Sequence, residues 1–351
     1  MLVIRSIAAS DLDPLIDMAR EVGGGMTTLK PDRQMLGDRV DCAVASFQQT
    51  IPPEERDYMF VMEDTATGKL AGVCAIKAAV GLNEPFYNYR IGTLVHSSRE
   101  LNVFSRMETL YLSNDLTGAT ELCSLFLQPD YRTGYNGKWL SKSRFLFIAQ
   151  FQQLFTEKII AEMRGYLLED GTSPFYEGLG RHFFKMDFNH VDGLTAMGKK
   201  SFIAELMPRQ PLYVDYLPES ARDVIGQVHR STLPARKLLE QEGMHYEGYV
   251  DIFDAGPVLQ GRVKELRSVR DSALRVASEG RSEGRSEGRS EDDAECLLVS
   301  NTKLDDFRMV LAQAAVDGHE IALSAQELAL LHVQAGDPVR TLSLNVRKNN
   351  G

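Results

Sequence analysis

Apolar positions recur at helical spacing over Leu12, Leu15, Ile16 and Ala19, which predicts a helix running to about Val22. Leu2-Val3-Ile4-Arg5 ahead of it reads as a short strand, and Ser10-Asp11-Leu12-Asp13 supplies a helix cap with acidic first-turn residues. A triple glycine, Gly23 to Gly25, ends that helix, and a second amphipathic segment covers about 31–49. The apolar runs 58–62 and 70–76 flank a Thr/Gly turn and predict a β-hairpin. Two more strands are expected at 108–112 and 121–127. The second runs into a glycine-bearing loop, followed by a long apolar helix over about 138–162 and a strand at 165–168. This order predicts an α/β fold, a mixed sheet flanked by helices.

The composition breaks once. From Ser278 to Asp293 the chain repeats Gly-Arg-Ser-Glu three times with no apolar residue, the pattern of a solvated linker. The chain is therefore expected to divide into a body at 1–256, a helical or linker segment at 257–293, and a small β-rich cap at 294–351. Strands are expected in the cap at 320–324 and 338–344, with a turn at 334–337.

Charge narrows the partners. With 39 Lys and Arg against 49 Asp and Glu, the net charge of −10 argues against nucleic acid and anionic membranes and leaves a cationic small substrate compatible. The N-terminus lacks a basic segment followed by an apolar one, so no secretory signal is expected. The most apolar segment, 70–82, is interrupted by Lys77 and is too short to span a membrane. Cysteines at 42, 74, 123 and 296 suit neither a zinc ribbon nor a disulfide framework, so reduced thiols in the cytoplasm are expected.

The informative stretch is 121–162. A glycine-bearing loop between a strand and a long helix offers backbone N–H groups and a helix dipole to a phosphate. Neither GxGxxG nor GxxxxGK[ST] is present. Pro129-x-Tyr131-Arg132-x-Gly134-x-x-Gly137-x-x-Leu140 instead resembles the pyrophosphate loop of the GCN5-related N-acyltransferases, with Gly134 one place early and Asn136 intervening. The first strand and helix and the hairpin resemble that superfamily too. Phe175-Tyr176-Glu177-Gly178-Leu179-Gly180 and the stretch from Ala235 to Met244 both resemble its late helix, which implies an elaborated or partly duplicated fold.

A closer resemblance runs along nearly the whole chain, to the bacterial arginine N-succinyltransferase family. It is carried by Ile4-Arg5-Ser6-Ile7, by Gly23-Gly24-Gly25-Met26-Thr27-Thr28-Leu29 with Pro31, and by Gly81-Leu82-Asn83-Glu84-Pro85-Phe86-Tyr87. Phe126-Leu127-x-Pro129-x-Tyr131-Arg132 and Phe183-Phe184-x-Met186-Asp187-Phe188 extend it. The Gly-Arg-Ser-Glu run is not part of that pattern.

The resemblance implies transfer of a succinyl group from succinyl-CoA to the α-amine of L-arginine, with succinyl-CoA as co-substrate and no metal or prosthetic group. It implies succinyl-CoA at the main chain of Leu125 and diphosphate over Arg132, Gly134 and Gly137. It also implies a proton donor at His229, within Gln227-Val228-His229-Arg230-Ser231-Thr232. An unperturbed imidazole titrates near 6.5, which suits that role. Tyr176 is the rival acid, its alternative being a helix tyrosine packed on the sheet. Glu169 and Asp170 are candidates for the amine or guanidinium, or else a solvated turn. Cys123 is not expected to act, since direct amine attack needs no thiol nucleophile. Ornithine or another basic amine as acceptor, and a non-catalytic CoA or arginine sensor, remain alternatives. Homo-oligomerisation stays open.

Overall fold

A computed structural model of the chain describes residues 1–22, 26–196, 200–280, 295–314 and 316–345. The triple glycine and nearly all of the Gly-Arg-Ser-Glu run lie outside these residues.

One mixed sheet organises the molecule. Its first strands are β1 (Leu2–Ser6), β2 (Asp57–Asp64), β3 (Lys69–Lys77), β4 (Asn88–Ser98), β5 (Val103–Ser113), β6 (Thr120–Leu127), β7 (Lys158–Glu162) and β8 (Leu212–Tyr213). There follow β9 (His245–Asp251), β10 (Pro257–Arg262), β11 (Ala273–Glu279), β12 (Glu295–Ser300), β13 (Arg308–Ala314), β14 (Val316–Asp317), β15 (Glu320–Leu323) and β16 (Pro338–Ser343). The spatial order is β14-β15-β11-β16-β12-β13-β1-β2-β3-β6-β7-β10-β9-β4-β5-β8. Neighbours pair antiparallel except β6–β7 and β11–β15.

Helices α1 (Leu12–Val22) and α2 (Arg33–Phe47) cover one face around Val61, Val73 and Ala75. The expected cap is subtler than a simple N-cap. Asp11 closes a short 3₁₀ turn ahead of α1, accepting from the Ala8 N–H at 2.8 Å and from Arg5 at 2.7 Å. The opposite face packs on α3 (Asn136–Gln150), with Phe145 and Phe147 against Phe60 and Phe307.

Between β7 and β9 the chain inserts α4 (Arg181–Phe184), α5 (Phe188–Ala196), α6 (Ser201–Leu206) and α7 (Glu219–Arg222). These build a second core with Tyr89, Leu110 and Val250 of β4, β5 and β9. This insertion is the elaboration of the fold. Next come α8 (Leu233–Gln241), α9 (Arg267–Asp271) and, in the C-terminal part, α10 (Ala325–Leu331).

Three local expectations are corrected. The helix expected over 138–162 ends at Gln150, where Phe151 turns to φ −126°, ψ 47°, and 158–162 is strand β7. With no glycine or proline from Phe145 to Ile160, the apolar pattern alone does not separate the buried helix from the buried strand. The segment 165–168 forms only an isolated bridge, Gly165 to Val228, rather than a strand. The connector placed at 257–293 begins as β10 and α9, and β11 pairs with β15 and β16 beside the C-terminal strands. Those strands continue the body's sheet, since β13 pairs with β1 through Ile4–Met309 and Arg5–Arg308.

A fully buried ion cluster ties these parts together. Lys142 of α3 pairs with Glu242, which also accepts from Arg267 at 3.3 Å and from the Ser268 N–H at 3.0 Å. Arg267 then donates to the carbonyl of Ser343 at 2.7 Å, joining the C-terminal strand to α3.

Candidate active site

The parallel neighbours β6 and β7 share only the register pairs Thr120–Ile159 and Glu121–Ile160. Beyond them the strands part, and the freed stretch of β6 lines a cavity of about 1700 Å³. A bulge lies in the same stretch. Val73 pairs with Phe126 and Ala75 with Cys123, so β6 carries both Ser124 and Leu125 where β3 has only Cys74. Ser124 takes φ +56°. Its hydroxyl donates to Thr28 Oγ1 at 2.9 Å and accepts from Arg39 Nη1 at 2.8 Å, while Arg39 Nε bonds Asp57 at 2.7 Å. These bonds hold the bulge, and Leu125 is left outside the ladder with β3, lining the cavity.

At the upper end of β6 the loop turns into α3. Arg132 Nε donates to the Leu127 carbonyl at 2.9 Å and its guanidinium lies 5.6 Å from the Phe126 ring centre. Gly134 adopts φ +53°, a conformation that side chains resist. A Cβ on Gly137 would meet only Leu127 Cδ2, at 3.8 Å. Protein packing therefore does not demand glycine at 137, and the missing side chain leaves the first-turn N–H groups of α3 open to a ligand. Arg132, Gly134, Gly137 and Lys138 all line the cavity.

His229 lines the same cavity, at the turn that opens α8. Its main-chain N–H donates to the Arg164 carbonyl at 2.9 Å, fixing it to the segment that follows β7. Its Nδ1 lies 2.7 Å from the Ser231 hydroxyl. Nδ1 also accepts from the Ser231 N–H at 3.3 Å, so both groups of Ser231 hold the ring. Nε2 has no protein partner among the described residues and is the nitrogen left to exchange a proton.

Tyr176 stands elsewhere. Its side chain is 0% exposed in the second core and its hydroxyl donates to the Met186 carbonyl at 3.0 Å. Burial pushes its phenol up to about 12. The structure thus brings Leu125, Arg132, Gly134, Gly137 and His229 onto one cavity and does not bring Tyr176 there. Glu169 lines the cavity as an exposed residue. Asp170 is spent on a turn, accepting from the Thr172 N–H at 2.9 Å. Burial raises the Cys123 thiol, the opposite of what a nucleophilic thiolate requires.

A second set of charges lies where the two strands part. Glu121, Glu162, Asp192, Asp251 and Asp254 all line the cavity. Burial is the chief cause that raises Glu162 well above the usual carboxylate range, and it raises Asp192 and Asp254 too. Asp251 is pushed up to about 7, first by burial and then by Asp254. Asn88, 1% exposed, donates to Glu162 Oε1 at 2.7 Å, and its own Oδ1 has no partner among the described residues. Buried carboxylates along the cavity favour a ligand carrying positive charge.

Two family models match the chain: the arginine N-succinyltransferase beta subunit over residues 2–268 and that subunit's C-terminal domain over 283–343. The chain belongs to the arginine N-succinyltransferase family. It is 47% identical to the arginine N-succinyltransferase of Shigella sonnei (strain Ss046) over 344 residues, 98% of either chain. The arginine N-succinyltransferase of Enterobacter sp. (strain 638) is 48% identical over the same extent. The solved structure of arginine/ornithine succinyltransferase subunit AI from Pseudomonas aeruginosa superimposes with a TM-score of 0.88 at 34% identity, covering 99% of both chains.

In this member of the family, several cavity residues carried no sequence motif. Arg39, Asp57, Arg144, Glu162 and Asp251 come from α2, β2, α3, β7 and β9 and meet only through the topology. One signal for one of them was present. Glu162 interrupts the apolar stretch from Ile159 to Met163, and a charge at a core position is rarely idle.

Proposed function

We propose that the chain transfers the succinyl group of succinyl-CoA to the α-amine of L-arginine, giving N2-succinyl-L-arginine and CoA. The observation that carries this reading is the convergence on one cavity of an open helix N-terminus, a bulged strand edge and an oriented imidazole.

The first-turn N–H groups of α3 receive the CoA diphosphate, aided by the helix dipole. The pantetheine arm lies along the freed edge of β6. At the bulge the Leu125 main-chain N–H donates to the thioester oxygen, an interaction that strengthens as the oxygen becomes an oxyanion. L-arginine enters on the side of Glu121, Glu162 and Asp251, where the carboxylates suit its cationic groups. Its α-ammonium loses one proton to the medium, and the free amine attacks the carbonyl carbon. A C–N bond forms, the C–S bond breaks, and the imidazolium of His229 gives its Nε2 proton to the departing sulfur. The ring is left neutral and takes back the amine's second proton as the amide forms. One proton is released in sum.

Ornithine is the second acceptor to consider, because the P. aeruginosa relative is an arginine/ornithine succinyltransferase subunit. No helix among the described residues is long and apolar enough to cross a membrane. The free thiols of Cys42, Cys74 and Cys123 fit a reducing, cytoplasmic place of work. Thiol release from succinyl-CoA, followed with arginine, ornithine and lysine in turn, tests the reading. Arginine-dependent release at the highest kcat/KM is expected. Release unaffected by any amine would contradict it.

A further inference from the structure

Arg144 sits on α3, is 2% exposed, and lines the cavity. Among the described residues it has no carboxylate within ion-pair distance. Its polar contacts are neutral and long: the Ser141 carbonyl at 3.3 Å, the Ser141 hydroxyl at 3.2 Å and the Cys123 carbonyl at 3.4 Å. A buried charge without a counter-ion is costly, and proteins keep one chiefly where a ligand supplies the opposite charge. Arg39, which also lines the cavity, is already matched by Asp57 at 2.7 Å. Among the described residues the cavity thus holds one deeply buried, unmatched guanidinium, that of Arg144.

Position says which anion it meets. The Arg144 guanidinium bonds Ser141, four residues and about 6 Å along α3 from Gly137, so it lies a turn below the CoA diphosphate proposed at the helix N-terminus. Arg144 instead touches the Cys123 carbonyl, two residues down β6 from Leu125, about 6 Å along the strand. A four-carbon diacyl chain spans roughly 5 Å from its thioester carbonyl to its far carboxylate. A thioester held at Leu125 with its chain running down β6 brings that carboxylate to the guanidinium.

We propose that Arg144 is the donor-selecting residue, pairing with the distal carboxylate of the acyl group, so that the cavity selects dicarboxylic acyl-CoA thioesters over neutral ones. This rests on the acyl transfer proposed above and names the donor class of that site.

The test compares succinyl-CoA with butyryl-CoA, which has the same carbon count and no distal charge, in the full chain and in Arg144→Met and Arg144→Gln. Wild-type chain should prefer succinyl-CoA, and each variant should lose about 10²-fold or more of that kcat/KM ratio. Each variant without ligand should melt no earlier than wild type, and the upward shift that succinyl-CoA gives should largely vanish. A folded variant that keeps the wild-type ratio overturns the assignment. So does one that loses both donors equally, or the failure of both variants to fold, since the guanidinium would then be structural. Calorimetric affinities for the two donors read Arg144 without turnover. A wild-type chain that binds succinyl-CoA selectively but never acylates an amine would therefore sink the reaction and leave the selectivity standing.

Discussion

The Nδ1 atom of His229 and the hydroxyl of Ser231 lie 2.7 Å apart, which leaves Nε2 as the ring nitrogen facing a ligand. If the imidazolium protonates the leaving thiolate, it acts in the transition state. His229→Ala should lower kcat by about 10²–10⁴-fold and leave both KM values nearly intact. Ser231→Ala should lower kcat by less, with KM unchanged, since it frees the ring without removing it. Tyr176→Phe should keep a near-normal kcat and lose about 1 kcal/mol of stability with its bond to Met186. Steady-state kinetics and urea unfolding of the three variants check these outcomes. A crippled Tyr176→Phe beside a folded, active His229→Ala would move the acid role to the tyrosine.

Gly137 has room for a side chain on the protein's side, its nearest neighbour being Leu127 at 3.8 Å. Gly137→Val should therefore fold, and should weaken succinyl-CoA binding because the branched side chain enters the path of the diphosphate. Calorimetry reads this directly, and normal affinity in the folded variant would show that the diphosphate lies elsewhere.

Asp251 is raised from 3.8 to about 7. Between those values the folded chain keeps a proton that the unfolded chain has released. This group's contribution therefore makes stability fall as pH rises through that window. Asp251→Asn should flatten the slope of urea midpoint against pH between about 4 and 7. A bound cation favours the ionised carboxylate, so arginine affinity should rise over the same range. An unchanged slope in Asp251→Asn would contradict the burial assigned to this carboxylate.

Glu242 offsets two buried cations, Lys142 and Arg267. Glu242→Ala leaves Lys142 without a counter-ion and Arg267 with only the more exposed Asp271, 3.4 Å away, and should destabilise the chain by about 3–5 kcal/mol. Urea unfolding measures it. A loss below about 1 kcal/mol would mean that water or a rearranged side chain relieves the cations.

Local pattern was enough for the elements that carry their own punctuation. The β2–β3 hairpin shows two apolar runs around a Thr/Gly turn, and α1 shows a single apolar face. The loop that opens α3 was legible because Arg132, Gly134 and Gly137 are sequence neighbours. The end of α3 was not, because apolar residues recur from Phe145 through Ile160 with no glycine or proline among them, and periodicity alone cannot mark the change to strand. Nor was the joining of the C-terminal strands to the sheet, which depends on Ile4 pairing with Met309. The carboxylate side of the cavity needed the same long-range information, since Glu121, Glu162 and Asp251 stand on β6, β7 and β9, brought to one cavity with β10 between the last two.

The most direct measurement is identification of the product after incubation of the chain with succinyl-CoA and L-arginine, by mass and by the site of acylation. N2-succinyl-L-arginine in one-to-one amount with released CoA is the predicted result. Free succinate with unmodified arginine, or acylation at the guanidinium, would contradict the account.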